Sequence, residues 1–261
     1  MPTAILMTCH NRVATTLECL KRLMPQLGNG DKVFLVDDGS TDGTGARVRV
    51  EYPRVRVIDG DGSLYWAKGM RKAWETAVEE GEWDSYLWLN DDTMLWPDAM
   101  DKMRAKDDGQ SLVIGNLCDS AGRAVYGLNV NGWVNGNCVL VPKKIYETVG
   151  MICGEYAHAW ADRDYALRVK KSGFSIVGAG EIGTSEWHPL RPSLAGKSLA
   201  ERWRSLFDPK GWNLHDLWLL RRRNWGFFTA IVSCIHLVEH VILFNHKRHK
   251  IHERFSILSC G

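Results

Sequence analysis

The chain has no C-x-x-C pair. Its seven cysteines are scattered and odd in number, which argues against a disulfide framework and against a zinc site, and suits a reducing, cytoplasmic setting. It has little net charge, since 33 basic and 31 acidic side chains leave +2 and a pI near 8.1. No nucleic-acid-binding surface is expected from that balance, and any basic patch must arise from local clustering. Internal repeats and low-complexity linkers are absent as well, so a solenoid or array is not indicated. Met1-Pro2 leads straight into Ala4-Ile5-Leu6-Met7 with no charged leader or small-residue cleavage site. The expectation is a first strand, not a signal peptide.

What is present suits a core. At 261 residues, with an ordinary 45% apolar share but twelve tryptophans, one domain with an appendage is expected. Residues 3–8 form an apolar run broken by Cys9-His10-Asn11-Arg12, then a helical pattern at Leu17, Leu20, Leu23 and Met24. Residues 32–36 read as a second buried strand and residues 55–58 as a third. A helix from Tyr65 to Glu79 carries Ala67, Met70, Ala73, Trp74 and Ala77 at helical spacing. Residues 86–89, Tyr-Leu-Trp-Leu, are another buried strand. Continuous apolar strands alternating with helices imply βαβ units around a mostly parallel sheet, with ligands at the carboxyl ends of the strands.

Three of those ends share one chemical character: Thr8 to Arg12, Asp37 to Asp42, and Asn90 to Thr93. Adjacent carboxylates at the mouth of an apolar strand repel each other and lose hydration, so they tend to titrate higher or recruit a cation such as Mg²⁺ or Mn²⁺. Asp91, Asp92 and Thr93 could equally start a helix or turn, and Asp37 and Asp38 could serve turns and caps. Farther on, residues 111–115 and 137–141 read as strands around a Gly- and Asn-rich segment, followed by a helix over 144–149. A loop ending in Asp162-Arg163-Asp164 precedes a helix over 165–172, a strand over 174–177, and Glu186-Trp187-His188-Pro189.

Four ordered segments carry a resemblance: Thr8-Cys9-His10-Asn11-Arg12, Val36-Asp37-Asp38-Gly39-Ser40-Thr41-Asp42-Gly43-Thr44, Leu89-Asn90-Asp91-Asp92-Thr93, and Asp162-Arg163-Asp164-Tyr165-Ala166-Leu167-Arg168. Over roughly Thr3 to His188 the chain resembles an inverting family 2 glycosyltransferase of the A-type fold, near the rhamnosyl- and galactofuranosyltransferases. That fold is α/β, a Rossmann-like nucleotide-binding half in a mostly parallel mixed sheet with flanking helices. The resemblance implies a catalytic domain over 1–190, with about 1–93 for the nucleotide sugar and about 94–190 for the acceptor. It implies that Thr8, Asn11, Arg12, Asp38, Leu64, Trp66 and Asp91 line the donor, with Tyr65 packing nearby and Lys68 and Arg71 facing either diphosphate or solvent. Asp92 and His188 would hold Mg²⁺ or Mn²⁺, His188 being alternatively an exposed side chain. The family's metal motif is Asp-x-Asp, and Asn90 stands at its first position. Asp162 falls where the family places its catalytic base, although Ala161 replaces the usual preceding Glu, and Asp162 and Asp164 could simply be helix-start acids. Trp160 and Trp187 would shape the acceptor pocket or pack in the core.

Residues 191–261 differ in character. Arg191, Lys197, Arg202, Arg204 and Lys210 lie among Trp203, Phe207 and Trp212, and Arg221-Arg222-Arg223 precede an apolar run from Gly226 to Phe244. His246-Lys247-Arg248-His249-Lys250 follow. The run contains His236, Glu239 and His240, which makes it a poor transmembrane span. A helical extension on the cytoplasmic face of the inner membrane is expected, the alternative being a helix docked on protein. The expected reaction moves a sugar from a nucleotide-diphosphate sugar, dTDP-rhamnose first and a UDP-hexose second, to a surface polysaccharide or lipid-linked glycan. Homo-oligomers are left open. The alternatives are a nucleotidyltransferase, which usually needs a glycine-rich loop that Thr8 to Arg12 lacks, or a degenerate scaffold protein at the membrane.

Overall fold

A computed structural model describes residues 2–128, 134–186 and 192–244. It divides into two compact units, Met1–Ala157 with Ala161–His188, and His158–Trp160 with Pro189–Gly261.

The first unit opens with β1 (Thr3–Cys9), α1 (Val13–Leu23), β2 (Lys32–Asp37), α2 (Thr44–Glu51), β3 (Arg56–Asp59), α3 (Tyr65–Glu80) and β4 (Ser85–Leu89). These four strands are mutually parallel in the order β3-β2-β1-β4. β1, β2 and β4 are buried almost throughout, which is why they read as unbroken apolar runs. After β3 the chain crosses to the far side of β1 to lay down β4. The strand order therefore reverses at β1, and a crevice opens there at the carboxyl ends.

The sheet continues through β5 (Met94–Leu95), β6 (Ser111–Cys118), β7 (Ala124–Tyr126), β8 (Cys138–Pro142) and β9 (Ser175–Thr184), with helices α4 (Ala99–Ala105), α5 (Lys143–Val149) and α6 (Ala161–Lys171). β8 lies antiparallel between β4 and β6, and β9 runs parallel to β6. The α3 stripe Ala67, Met70, Ala73, Trp74 and Ala77 is buried, as its spacing requires. Trp74 gathers Tyr86, Trp88, Tyr146 and Tyr165 within 5.0–5.9 Å, so five aromatic rings fill one face of the sheet.

Two boundaries differ from expectation. α6 begins at Ala161, four residues before the expected start, so Asp162 stands in its first turn and not in the preceding loop. Trp160 takes a left-handed φ of 72° immediately before it, and that reversal lets the helix begin there. β9 runs to Thr184, past Gly178 and Gly180, because its parallel register with β6 holds it. Strand propensity alone stops at the first glycine.

The second unit contains α7 (Leu199–Ser205), α8 (Leu214–Trp225) and α9 (Phe227–Ile242) around Leu194, Leu206, Leu217, Leu237 and Val241. Ser198 and Glu201 close α7 with a reciprocal capping box, and Asn213 accepts from the Asp216 N–H to start α8. Gly226, at φ 93°, ends α8 and starts α9. Among the described residues no helix is long and apolar enough to cross a membrane. The basic cluster at 246–250 lies outside the described residues.

Candidate active site

The loops after β1 and β2 are stapled together by short polar side chains. Asn11, at φ 52°, accepts the Thr41 N–H at 2.7 Å on its Oδ1, and its own N–H donates to Ser40 Oγ at 2.8 Å. Asp37 turns back to accept from Gly45 at 3.0 Å in the first turn of α2 and from Ser40 at 3.2 Å, which is turn and cap chemistry. Buried Asp38 reaches the entry of α3. It accepts from Gly62 at 2.9 Å on one oxygen and from Leu64 at 3.0 Å and Tyr65 at 2.9 Å on the other. Three charge-assisted bonds fix the loop that carries Leu64, Tyr65 and Trp66. Thr8 lies under α3, close enough that a Cβ on Gly69 would collide with its Oγ1.

The end of β4 faces these loops. Arg12 donates from one Nη1 to both Asp91 Oδ1 at 3.2 Å and Asp92 Oδ2 at 2.8 Å, and Thr16 Oγ1 donates to Asp91 Oδ2 at 3.1 Å. Asp91 is 5% exposed. Burial pushes its carboxyl up to about 6, with the Arg12 charge opposing that rise and the Asp92 charge adding to it. The acids do not cap a helix. Thr93 closes a turn on the Asn90 carbonyl, the short β5 follows, and α4 starts only at Ala99.

The donor set for a divalent cation is lean. Among the described residues no three His, Cys, Asp or Glu side chains converge, and His188 lies outside them. Arg12 and Thr16 occupy both oxygens of Asp91, whereas Asp92 Oδ1 is buried without a hydrogen-bond partner. An orphaned buried carboxylate oxygen fits a cation that draws its remaining ligands from a bound diphosphate.

Asp162 is half-buried. Its Oδ2 accepts the Gly136 N–H at 3.0 Å and its Oδ1 the Arg163 N–H at 2.7 Å. Burial raises its pKa, and those two backbone donors moderate the rise. Each oxygen keeps a second lone pair, so the group can still take a proton. Gly136 also receives the Trp66 ring, since a Cβ there would stand 2.7 Å from two indole carbons and 3.2 Å from the Asp162 Cβ. The same indole donates from Nε1 to Asn90 Oδ1 at 2.7 Å. A chain of contacts thus runs from Asp162 through Gly136 and Trp66 to Asn90, beside Asp91 and Asp92.

Some expected residues fall elsewhere. Arg71 pairs with Glu75 and donates to the Ile152 carbonyl, and Lys68 is exposed on α3, as its solvent-facing alternative has it. Asp164 is fully buried against Arg168. Trp187 lies outside the described residues. Thr16 and Gly136 escaped the reading of the sequence. Thr16 resembles any helix-face threonine, and only the local richness in Gly and Asn before Asn137 marked the place of Gly136.

Residues 4–122 match the family described as Glycosyl transferase family 2. No curated protein matches the sequence. Among solved structures, the mannosyltransferase PcManGT from Pyrobaculum calidifontis, in complex with GDP-Man and Mn²⁺, is 16% identical at a TM-score of 0.55, covering 100% of this chain and 80% of that one. TarS 1-349 of S. aureus is 13% identical at 0.59, covering 95% and 77%. Its complex with UDP is 11% identical at 0.59, covering 95% and 73%. At these identities the likeness is one of fold, the mixed-sheet α/β architecture of the A-type glycosyltransferases. By the domain over residues 4–122, the chain is a glycosyltransferase.

Proposed function

From that domain we propose an inverting, metal-assisted glycosyltransferase. It moves a sugar from a nucleotide-diphosphate donor, dTDP-rhamnose or a UDP-hexose, to a hydroxyl of a surface polysaccharide or lipid-linked glycan. The observation that carries this reading is Asp162. A carboxylate with a raised pKa, joined through Gly136 and Trp66 to the Asn90–Asp92 strand end, has the chemistry of a general base beside a donor site.

Asp162 takes the proton of the acceptor hydroxyl as that oxygen bonds to the anomeric carbon and the bond to the diphosphate breaks, so one attack inverts the configuration. Asp38 and Asn11 hold the loops that line the nucleotide, with Thr8 beneath them. Arg12 carries positive charge to the diphosphate end. Mg²⁺ or Mn²⁺, bound by Asp92 with or without His188, would supply further charge neutralisation for the leaving diphosphate. Replacing Asp162 by Asn should abolish transfer while calorimetric binding of the nucleotide persists, and full activity in that variant would remove Asp162 from the mechanism.

The second unit supports a place at the cytoplasmic face of the inner membrane. Phe227, Phe228, Val232 and Ile235 of α9 are exposed, as are Trp203 and Phe207, while Arg221, Arg222 and Arg223 lie on the preceding helix. Exposed aromatic and aliphatic side chains beside a basic cluster complement an anionic bilayer surface. Phe228→Asp should reduce co-sedimentation with anionic vesicles. Equal sedimentation of both proteins, or dimerisation through this face, would overturn that placement.

A further inference from the structure

We propose that Asn90 is a hydrogen-bond donor to the diphosphate of the nucleotide sugar. The pocket would then hold its nucleotide partly through the protein's own N–H groups, where a carboxylate would depend on a bridging cation. The assignment rests on the donor site proposed above.

The orientation of the amide follows from its partner. An indole N–H can only donate, so the atom of Asn90 that meets Trp66 Nε1 at 2.7 Å is the carbonyl Oδ1. The NH₂ group must therefore point the other way. Asn90 is half-buried, its Nδ2 has no partner among the described residues, and that atom is not one of the sealed, unsatisfied ones. Two donors are thus offered to the open side of the site.

They are offered from a rigid support. The Asn90 backbone N–H donates to the Asn137 carbonyl at 2.9 Å, and its own carbonyl accepts from Thr93 at 3.1 Å. Trp66 is wedged against Gly136 and meets Trp88 edge-on at 6.1 Å. A donor fixed before the ligand arrives loses little entropy on binding.

Charge favours the same ligand. As it stands, Asp91 and Asp92 face one guanidinium, Arg12. An aspartate at 90 would place a third carboxylate beside them, which suits a divalent cation and repels a diphosphate. The amide removes that repulsion and cannot ligate the cation through the nitrogen it presents. Asn90 is therefore a change of ligand at this position, from metal to phosphate oxygen, and not the loss of a site.

The test is calorimetric titration of the full chain with dTDP, UDP and GDP, in EDTA and in Mn²⁺. Asn90→Asp keeps the acceptor for Trp66 and so preserves the fold, but it replaces the two donors with charge. Wild-type protein should bind at least one of these nucleotides in EDTA. Asn90→Asp should weaken that binding by about tenfold to a hundredfold, the value of one hydrogen bond to a charged group, and recover it in Mn²⁺. Trp66→Phe, which releases the amide to flip, should weaken EDTA binding by less. The Asn90 side-chain amide resonance should shift when nucleotide is added in EDTA, which a purely structural asparagine would not do. Equal EDTA affinities for wild type and Asn90→Asp would overturn the assignment, leaving Asn90 as a partner for Trp66. Wild-type binding only in Mn²⁺ would also overturn it while sparing the donor site. Absence of binding in both conditions would remove the donor site and this role together.

Discussion

Replacing Gly136 by Ala tests the contact chain that joins the proposed base to the strand end. The new Cβ would stand 2.7 Å from two carbons of the Trp66 ring, so the indole must withdraw by about 0.7 Å to regain ordinary contact. The adjacent edge of the same ring is held by the 2.7 Å bond to Asn90, and a withdrawal of that size stretches or breaks the bond. Overpacking costs about 1–3 kcal/mol and the lost hydrogen bond about 1 kcal/mol. The melting temperature should fall by roughly 5–10 °C for a chain of this size. A displacement near 1 Å at the base and the donor end should also lower kcat/KM by about a hundredfold. The assay pairs thermal unfolding with donor turnover. Gly122→Ala serves as control, because Gly122 has positive φ but nothing within 4 Å of its Cβ, so only backbone strain is added. Trp66→Phe shortens the ring, so the cost of Gly136→Ala should shrink in that background, which a double-mutant cycle would show as coupling. Strict additivity, or a Gly136→Ala protein as stable and active as wild type, would refute the contact chain.

Asp91→Asn should stabilise the protein in EDTA. A carboxyl titrating near 6 in the fold against 3.8 when unfolded binds its proton more tightly in the native state. Its contribution is fully favourable below the unfolded value and is lost as pH rises through the folded one. The advantage of Asn over Asp should therefore be about 3 kcal/mol at pH 7 and should shrink to under about 1 kcal/mol at pH 4. Denaturant titration at both pH values measures this, and a gain that does not depend on pH would contradict it. The acid limb of kcat/KM should lie above the ordinary carboxylate range, because activity falls as Asp162 takes its proton and burial raises the pH at which that happens; a limb at or below that range would argue against Asp162 as the base. Asp92→Ala should erase the Mn²⁺ dependence of nucleotide affinity, and identical titrations with and without Mn²⁺ in wild type and variant would remove Asp92 as a ligand.

Much of the fold is visible in the residues because two periodicities differ so clearly. β1, β2 and β4 carry continuous apolar runs between polar ends and lie inside the sheet, buried almost throughout, while α3 shows its buried stripe at helical spacing. The short elements are less visible. β5 has two residues and β7 three, too few for any pattern, and α2 buries only Thr44, Gly45 and Val48. The length of β9 is set by its partner strand across three glycines, a tertiary cause that local propensity opposes.

Within the site, visibility depended on charge. Asp37, Asp38, Asp91, Asp92 and Asp162 stand out because acids at the ends of apolar strands and helices need a reason. Which acid does what could not be read, since Asp37 and Asp38 are neighbours and differ only in the N–H groups they face: Gly45 and Ser40 for one, Gly62, Leu64 and Tyr65 for the other. The same limit applied to Asn90. Against a two-acid motif it reads as a deletion, because a sequence records which acceptor is missing but not which way an amide points. Trp66 supplies the missing information by bonding the carbonyl side, and Gly136 supplies the room for Trp66 to do so. An Asn, a Trp and a Gly separated by tens of residues thus make a single donor, and each of the three looks unremarkable until the other two are in place.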